Sequence, residues 1–205
     1  MAAKSPGNHI EQLSKDKKLL RLLETVEPYQ LTKRKNICLR LCASIMSQQL
    51  STRVAEVIFK RFLELYGSKE PTAQQIIDTP FDQLRATGLS NAKVSYVQNV
   101  AKYLLEHNAD DKKLSKMNDE DVIAFLTPIK GVGRWTVEML LMFTLGREDV
   151  FAVDDLGIQQ AMASVYKLDV ADKKALREKM LKISEKWKPY RTYACFYLWK
   201  YKDAK

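Results

Sequence analysis

The sequence predicts an all-α fold of two helical lobes. Apolar residues recur at helical spacing in nearly every segment, and no run alternates with the period of a strand. Most apolar stretches also have a capping residue in front or Gly or Pro at an end, so the elements are short and closely connected.

Ser14–Val26 sets Leu19, Leu20, Leu22, Leu23 and Val26 on one broad face, and Pro28 ends it. Asn36–Met46, with Ile37, Leu39, Leu41, Ala43, Ile45 and Met46, is apolar enough to be largely buried. The run Ser47-Gln48-Gln49-Leu50-Ser51 breaks the pattern. Ser51 then caps Thr52–Tyr66, which Gly67 closes. Thr72–Asp78 begins behind Pro71, and Pro80–Thr87 ends at Gly88. Ser90 caps Asn91–Glu106, and 110–113 reads as a polar linker. Asn118 caps Asp119–Thr127, which Pro128 stops; Arg134–Leu145 is closed by Gly146. A short apolar segment, Asp149–Val153, precedes helices over Asp155–Tyr166, Asp172–Trp187 and Pro189–Tyr201. Residues 1–30 are expected to join the C-terminal lobe, with 31–110 and 111–205 as the two lobes of the core.

Composition bounds the function classes. Hydrophobic residues make up 46% and charged residues 29%, an ordinary globular balance. The longest strongly apolar run, Met139–Leu145, falls far short of the roughly 20 residues of a membrane span. Met1–His9 carries no secretory pattern, so an intracellular protein of cytoplasm or nucleoid, or of a nucleus, is expected, with no membrane partner. The net charge of +9 favours a polyanionic partner. Cys38, Cys42 and Cys195 are too few and too scattered for a disulfide framework, a four-cysteine zinc site or an iron–sulfur cluster. His9 and His107 are isolated and define no metal site.

The most informative stretch is Leu126–Gln160. A helix ends near Thr127, Gly131-Val132-Gly133 makes a tight turn, and a new helix starts at Arg134. Two glycines permit positive φ and close approach of another backbone. The N–H groups of the new helix start, with the helix dipole, suit a phosphate, and Lys130 and Arg134 flank them with positive charge. An ordinary helical corner would look the same. Asp155 follows 22 residues after Gly133, again at a helix start, where an Asp most often serves as a cap. Lys93, just behind the Ser90 cap, is a candidate phosphate contact.

Helix, Gly-Val-Gly hairpin, amphipathic helix and Val-Asp at the next helix start together resemble the helix-hairpin-helix DNA glycosylases. Ser47-Gln48-Gln49-Leu50-Ser51, Gly88-Leu89-Ser90 with Lys93, Gly133-Arg134-Trp135-Thr136, and Trp187-Lys188-Pro189-Tyr190-Arg191 with Trp199 are similar to the alkylated-purine branch, 3-methyladenine DNA glycosylase II. The resemblance covers about residues 30–201. It implies two helical lobes with a DNA-binding cleft between them. The implied activity is excision of alkylated purines from duplex DNA by base flipping and N-glycosidic hydrolysis, as in base excision repair.

By this resemblance Asp155, rather than Asp154, is the catalytic carboxylate. A carboxylate stabilises the positive charge that builds on the sugar as the base departs. Trp135 stands where strand-cleaving members carry a lysine nucleophile, so a monofunctional hydrolase without lyase activity is implied. Trp135 and Trp199 match aromatic base-pocket positions, where an indole face attracts a cationic base. Met139 departs from relatives that carry tyrosine, which leaves the substrate range open. Gln49, with Leu50 beside it, matches the wedge that fills the gap left by a flipped base, although the Ser47–Ser51 cluster also reads as simple capping. The resemblance further implies a monovalent cation, Na+ or K+, on backbone carbonyls of the 130–133 hairpin, with no other cofactor required. Damaged double-stranded DNA is the expected partner of a monomeric protein. The alternative is a non-catalytic helix-hairpin-helix DNA-binding module.

Overall fold

A computed structural model describes residues 8–27 and 29–204. The chain is all-helical, and no strand occurs among the described residues. It divides into two compact units: Lys33–Leu145, and a second made of Met1–Thr32 with Gly146–Lys205. No helix among the described residues is long and apolar enough to cross a membrane.

The 33–145 unit is built on α3 (Ile37–Ser47), which buries Ile37, Leu39, Leu41, Cys42, Ile45 and Met46. It packs against α4 (Thr52–Glu64), α7 (Asn91–Glu106) and α10 (Arg134–Phe143). The short helices α5 (Ala73–Asp78) and α6 (Phe81–Ala86) pack on α7, and α9 (Asp119–Leu126) packs on α10. The predicted caps do their work. Ser51 accepts from the Val54 N–H, Ser90 from that of Lys93 and Asn118 from that of Asp121.

The polar linker expected at 110–113 is instead the first turn of α8 (Asp111–Lys116), with Asp110 as its cap. The Asp111 carboxylate accepts from the Asn36 and Ile37 N–H groups, 2.8 and 2.9 Å, at the start of α3. The lobe boundary expected at 110/111 therefore falls inside this unit, where a long-range polar clamp joins the segments on either side.

In the other unit, the helix expected over Ser14–Val26 is confined to Lys17–Leu23, and a separate, unexpected helix precedes it. α1 (Asn8–Ser14) ends and Asp16 caps α2 (Lys17–Leu23). Pro28, expected as the stop, and Met1–Gly7 at the chain start lie outside the described residues. The cap explains the break. Asp16 is buried and accepts from the Lys18 N–H (3.0 Å), the Tyr166 hydroxyl (2.6 Å) and the Trp187 indole N–H (3.1 Å), with Lys186 Nζ at 2.8 Å. Burial alone would raise this carboxyl. The bonds from Lys186, Tyr166, Trp187 and the Lys18 backbone outweigh it and bring the group down to about 2.

The rest of this unit is α11 (Leu156–Tyr166), α12 (Lys173–Ser184), a 3-10 turn (Glu185–Trp187) and α13 (Arg191–Asp203). Helix α13 is buried over Thr192–Leu198 and packs on α2 and α11. Its start fixes the apolar segment before α11. Arg191 grips Asp149 through Nε and Nη2 (2.7 and 3.0 Å), and the Val150 N–H donates to Thr192 Oγ1 (3.0 Å). With Phe151, Ala152 and Val153 buried behind it, the chain reaches Asp155 along a fixed path.

Candidate functional site

Asp155 is the N-cap of α11, and its Oδ1 accepts from the Ile158 N–H at 2.9 Å. The cap expected from sequence is therefore real. Oδ1 also accepts from the indole N–H of Trp199 at 2.8 Å, so two donors from different helices orient one carboxylate. The neighbouring Asp154 is turned to Arg177, with Oδ1 3.1 Å from Nε. The two adjacent aspartates thus have separate partners, and the sequence carried no signal for Arg177.

In the 33–145 unit, the hairpin 127–133 joins α9 to α10. Val132 and Ile129 are buried and anchor it, and the Val132 N–H donates to the Ile129 carbonyl (2.9 Å). The two glycines serve different ends. Gly131 has φ +100, and a Cβ there would lie 2.4 Å from the Tyr96 ring, so only glycine fits. Gly133 has φ −95, and a Cβ there would meet nothing within 4 Å. Gly133 is the N-cap of α10, with no side-chain cap hydrogen bond.

Lys130 is exposed and makes no ion pair among the described residues. Arg134 is turned back into the protein. Its Nη2 lies 2.6 Å from Glu120 Oε1, and its Nε lies 3.1 Å from Oε1 of the buried Glu138. The hydrogen bond from Arg134 holds the Glu120 carboxyl below its ordinary range, and Glu120 and Glu138 raise the guanidinium. Of the two cations expected to flank the turn, only Lys130 is presented without an acidic partner.

Gln49, exposed, sits at φ +57 in the turn after α3, with the exposed Leu50 next to it. Two contacts hold this turn. Lys93 Nζ donates to the Met46 and Gln48 carbonyls, 2.9 and 2.7 Å, and so closes the C-terminal end of α3. Desolvation by burial pushes its ammonium down. Gln48 Nε2 lies 3.4 Å from the Gly131 carbonyl and 3.3 Å from Thr136 Oγ1, linking the turn to the hairpin. Lys93, read from sequence as a phosphate candidate, has its ammonium on these carbonyls instead. Gln48 was missed because its partners lie more than 80 residues away.

Trp135 and Met139, one turn apart on α10, line a cavity of about 390 Å³, together with Phe143 on the same helix face, Phe59, Ser44 and Arg34. That volume is in the range of small-molecule sites. Trp135 is 39% exposed, so packing alone does not account for it. Trp199 belongs to the other unit, on α13, where it meets Asp155. Among the described residues no group of three or more His, Cys, Asp or Glu side chains is placed to hold a metal ion.

Residues 42–188 match the family model described as HhH-GPD superfamily base excision DNA repair protein. DNA-3-methyladenine glycosylase 1 of Schizosaccharomyces pombe is 35% identical over 195 residues, 94% of this chain and 84% of that protein. DNA-3-methyladenine glycosylase of Saccharomyces cerevisiae is 34% identical over 194 residues, 79% of this chain and 65% of that one. The structure of the Schizosaccharomyces pombe 3-methyladenine DNA glycosylase in complex with abasic DNA superposes with a TM-score of 0.82. The pair is 33% identical, with 95% of this chain and 96% of that one covered.

Proposed function

Since the chain belongs to the HhH-GPD superfamily of base excision DNA repair proteins, we propose that it excises alkylated purines of the 3-methyladenine type from duplex DNA, turning the base out of the stack and hydrolysing its N-glycosidic bond. The observation that carries this reading is Asp155, a carboxylate held at a helix start by the Ile158 N–H and the Trp199 indole. As the bond to an alkylated purine breaks, positive charge builds on the sugar. A pre-oriented carboxylate stabilises that charge and directs the attacking water. The base is already cationic while bonded and takes the electron pair of the breaking bond to leave neutral, so no strong general acid is needed.

Each remaining part has a task in this reading. Trp135 and Met139 wall the space for a purine, and a cation over the Trp135 face gains about 0.5–2 kcal/mol. Gln49 and Leu50 fill the gap in the stack. A positive φ at a residue other than glycine costs about 1 kcal/mol, and the turn is held there by Lys93 and Gln48. The uncapped N–H groups of α10 and Lys130 grip a phosphate. Trp135, where strand-cleaving relatives have lysine, supports a monofunctional hydrolase of the type II kind. Monomeric action inside the cell fits this chemistry. A Na+ or K+ ion on the 130–133 carbonyls would share them with internal bonds, since the Gly131 oxygen faces Gln48 Nε2; the ion would brace the turn.

The test is Asp155→Asn on N-methylated duplex DNA, with free base and strand breaks assayed separately. Asparagine caps a helix as well as aspartate, so the fold stays intact. The expected result is base release without strand breaks before alkali in the native chain, and a loss of about 10²-fold or more in the variant. Undiminished release by the variant sinks the reading.

A further inference from the structure

We infer that Trp199 and Gly157 are positioning residues for Asp155, the indole N–H aiming the carboxylate and the bare glycine leaving the slot through which the indole reaches it. The inference rests on the glycosylase reading and deepens it. By sequence, Trp199 is a wall of the base pocket; the geometry gives it a second task.

The contact has two independent supports. One is the 2.8 Å bond from Trp199 Nε1 to Asp155 Oδ1. The indole N–H lies in the plane of its ring, so this bond fixes the ring edge-on to the carboxylate. The ring is braced from behind. Phe196 meets it edge-on at 5.8 Å and is itself stacked on Tyr29 at 3.5 Å. The other support is Gly157, the second residue of α11. Its φ is not in the left-handed region, so conformational freedom does not explain a glycine inside a helix. Alanine is the better helix former. Space does explain it. A Cβ at 157 would lie 3.1 Å from Asp155 Oδ1, 3.1 Å from Trp199 Cδ1 and 3.4 Å from Trp199 Nε1. It would wedge between the donor and the acceptor.

The experiment uses the full chain and N-methylated duplex DNA, with the single-turnover rate at saturating enzyme and the DNA Kd measured separately. Trp199→Phe keeps an aromatic ring and removes the N–H. Its rate is expected to fall about tenfold with Kd nearly unchanged, because orientation of the reacting groups is lost while binding is kept. Gly157→Ala is expected to slow the reaction several-fold while Tm stays equal or rises. In the same variant the indole N–H resonance of Trp199 should move toward that of an unbonded indole. Native rates in both Trp199→Phe and Gly157→Ala would overturn the inference and leave Trp199 as a base wall alone, a role that Trp199→Ala would then expose through weakened binding. Full base release by Asp155→Asn would overturn the underlying reading itself.

Discussion

At the start of α10 the backbone N–H groups behind Gly133 have no side-chain cap, whereas at the start of α11 Asp155 places its own carboxylate on the Ile158 N–H. Both helix ends carry the same partial positive charge. The first, on the proposed reading, meets an anion from outside. The second spends it on an anion of the chain itself, which Trp199 then aims. A helix start is thus either a receptor or a mount, and one side chain at the cap decides which. Asp16 is a third case. It caps α2 but is buried under Tyr166, Trp187 and Lys186, so its carboxylate serves only to tie elements together.

Substitutions can break or sharpen this contrast. The largest effect is expected from Asp155→Asn: catalysis falls by at least about two orders of magnitude while thermal melting stays close to native, because the cap survives and the charge does not. Next is Gly131→Ala. Its positive φ and the clash with Tyr96 should cost about 3 kcal/mol in a denaturant titration, with weaker DNA binding as the hairpin shifts. Then comes Asp16→Asn, which should cost about 2 kcal/mol by the same measurement. That carboxyl titrates lower in the folded chain, at about 2, than its ordinary 3.8. Its contribution is therefore complete above about pH 4 and disappears as the pH falls towards 2. In the variant, melting curves should lose this acid dependence. The smallest effect on the fold is expected from Gly133→Ala. Nothing lies within 4 Å of the added methyl, so only the weaker capping of alanine counts and stability should fall by less than about 1 kcal/mol. DNA affinity should still fall, because a phosphate approaching the α10 start would meet the methyl. Unchanged affinity would count against the receptor role of that helix end.

Much of the fold was legible because its signals are local. Ser51, Ser90 and Asn118 cap the helices they precede, and the apolar stripe of α3 is buried as its spacing predicts. The break at Asp16 was hidden because the polar run Ser14-Lys15-Asp16-Lys17-Lys18 reads as a solvated stretch. Its cause lies in hydroxyl and indole groups 150 or more residues away. The hairpin, the turn at Gln49 and the cap at Asp155 could be read from glycines, polar runs and position. The division of labour among them could not. Lys93 and Arg134 both look like phosphate contacts in sequence, yet one closes α3 and the other answers Glu120 and Glu138. Positive charge is visible in a sequence; the acceptor it finds is not. The two hairpin glycines look equivalent for the same reason, since the Tyr96 ring that demands one of them comes from α7.

The unit holding Asp155 is assembled from both flanks of the other, residues up to 32 and from 146 onward. During synthesis the Lys33–Leu145 unit, hairpin and all, is polymerised before Asp155, and Trp199 follows 44 residues later still. A nascent or prematurely terminated chain would therefore own the elements proposed to grip DNA before it owned the carboxylate proposed to act on it. Translation order would keep an unfinished polypeptide from cutting.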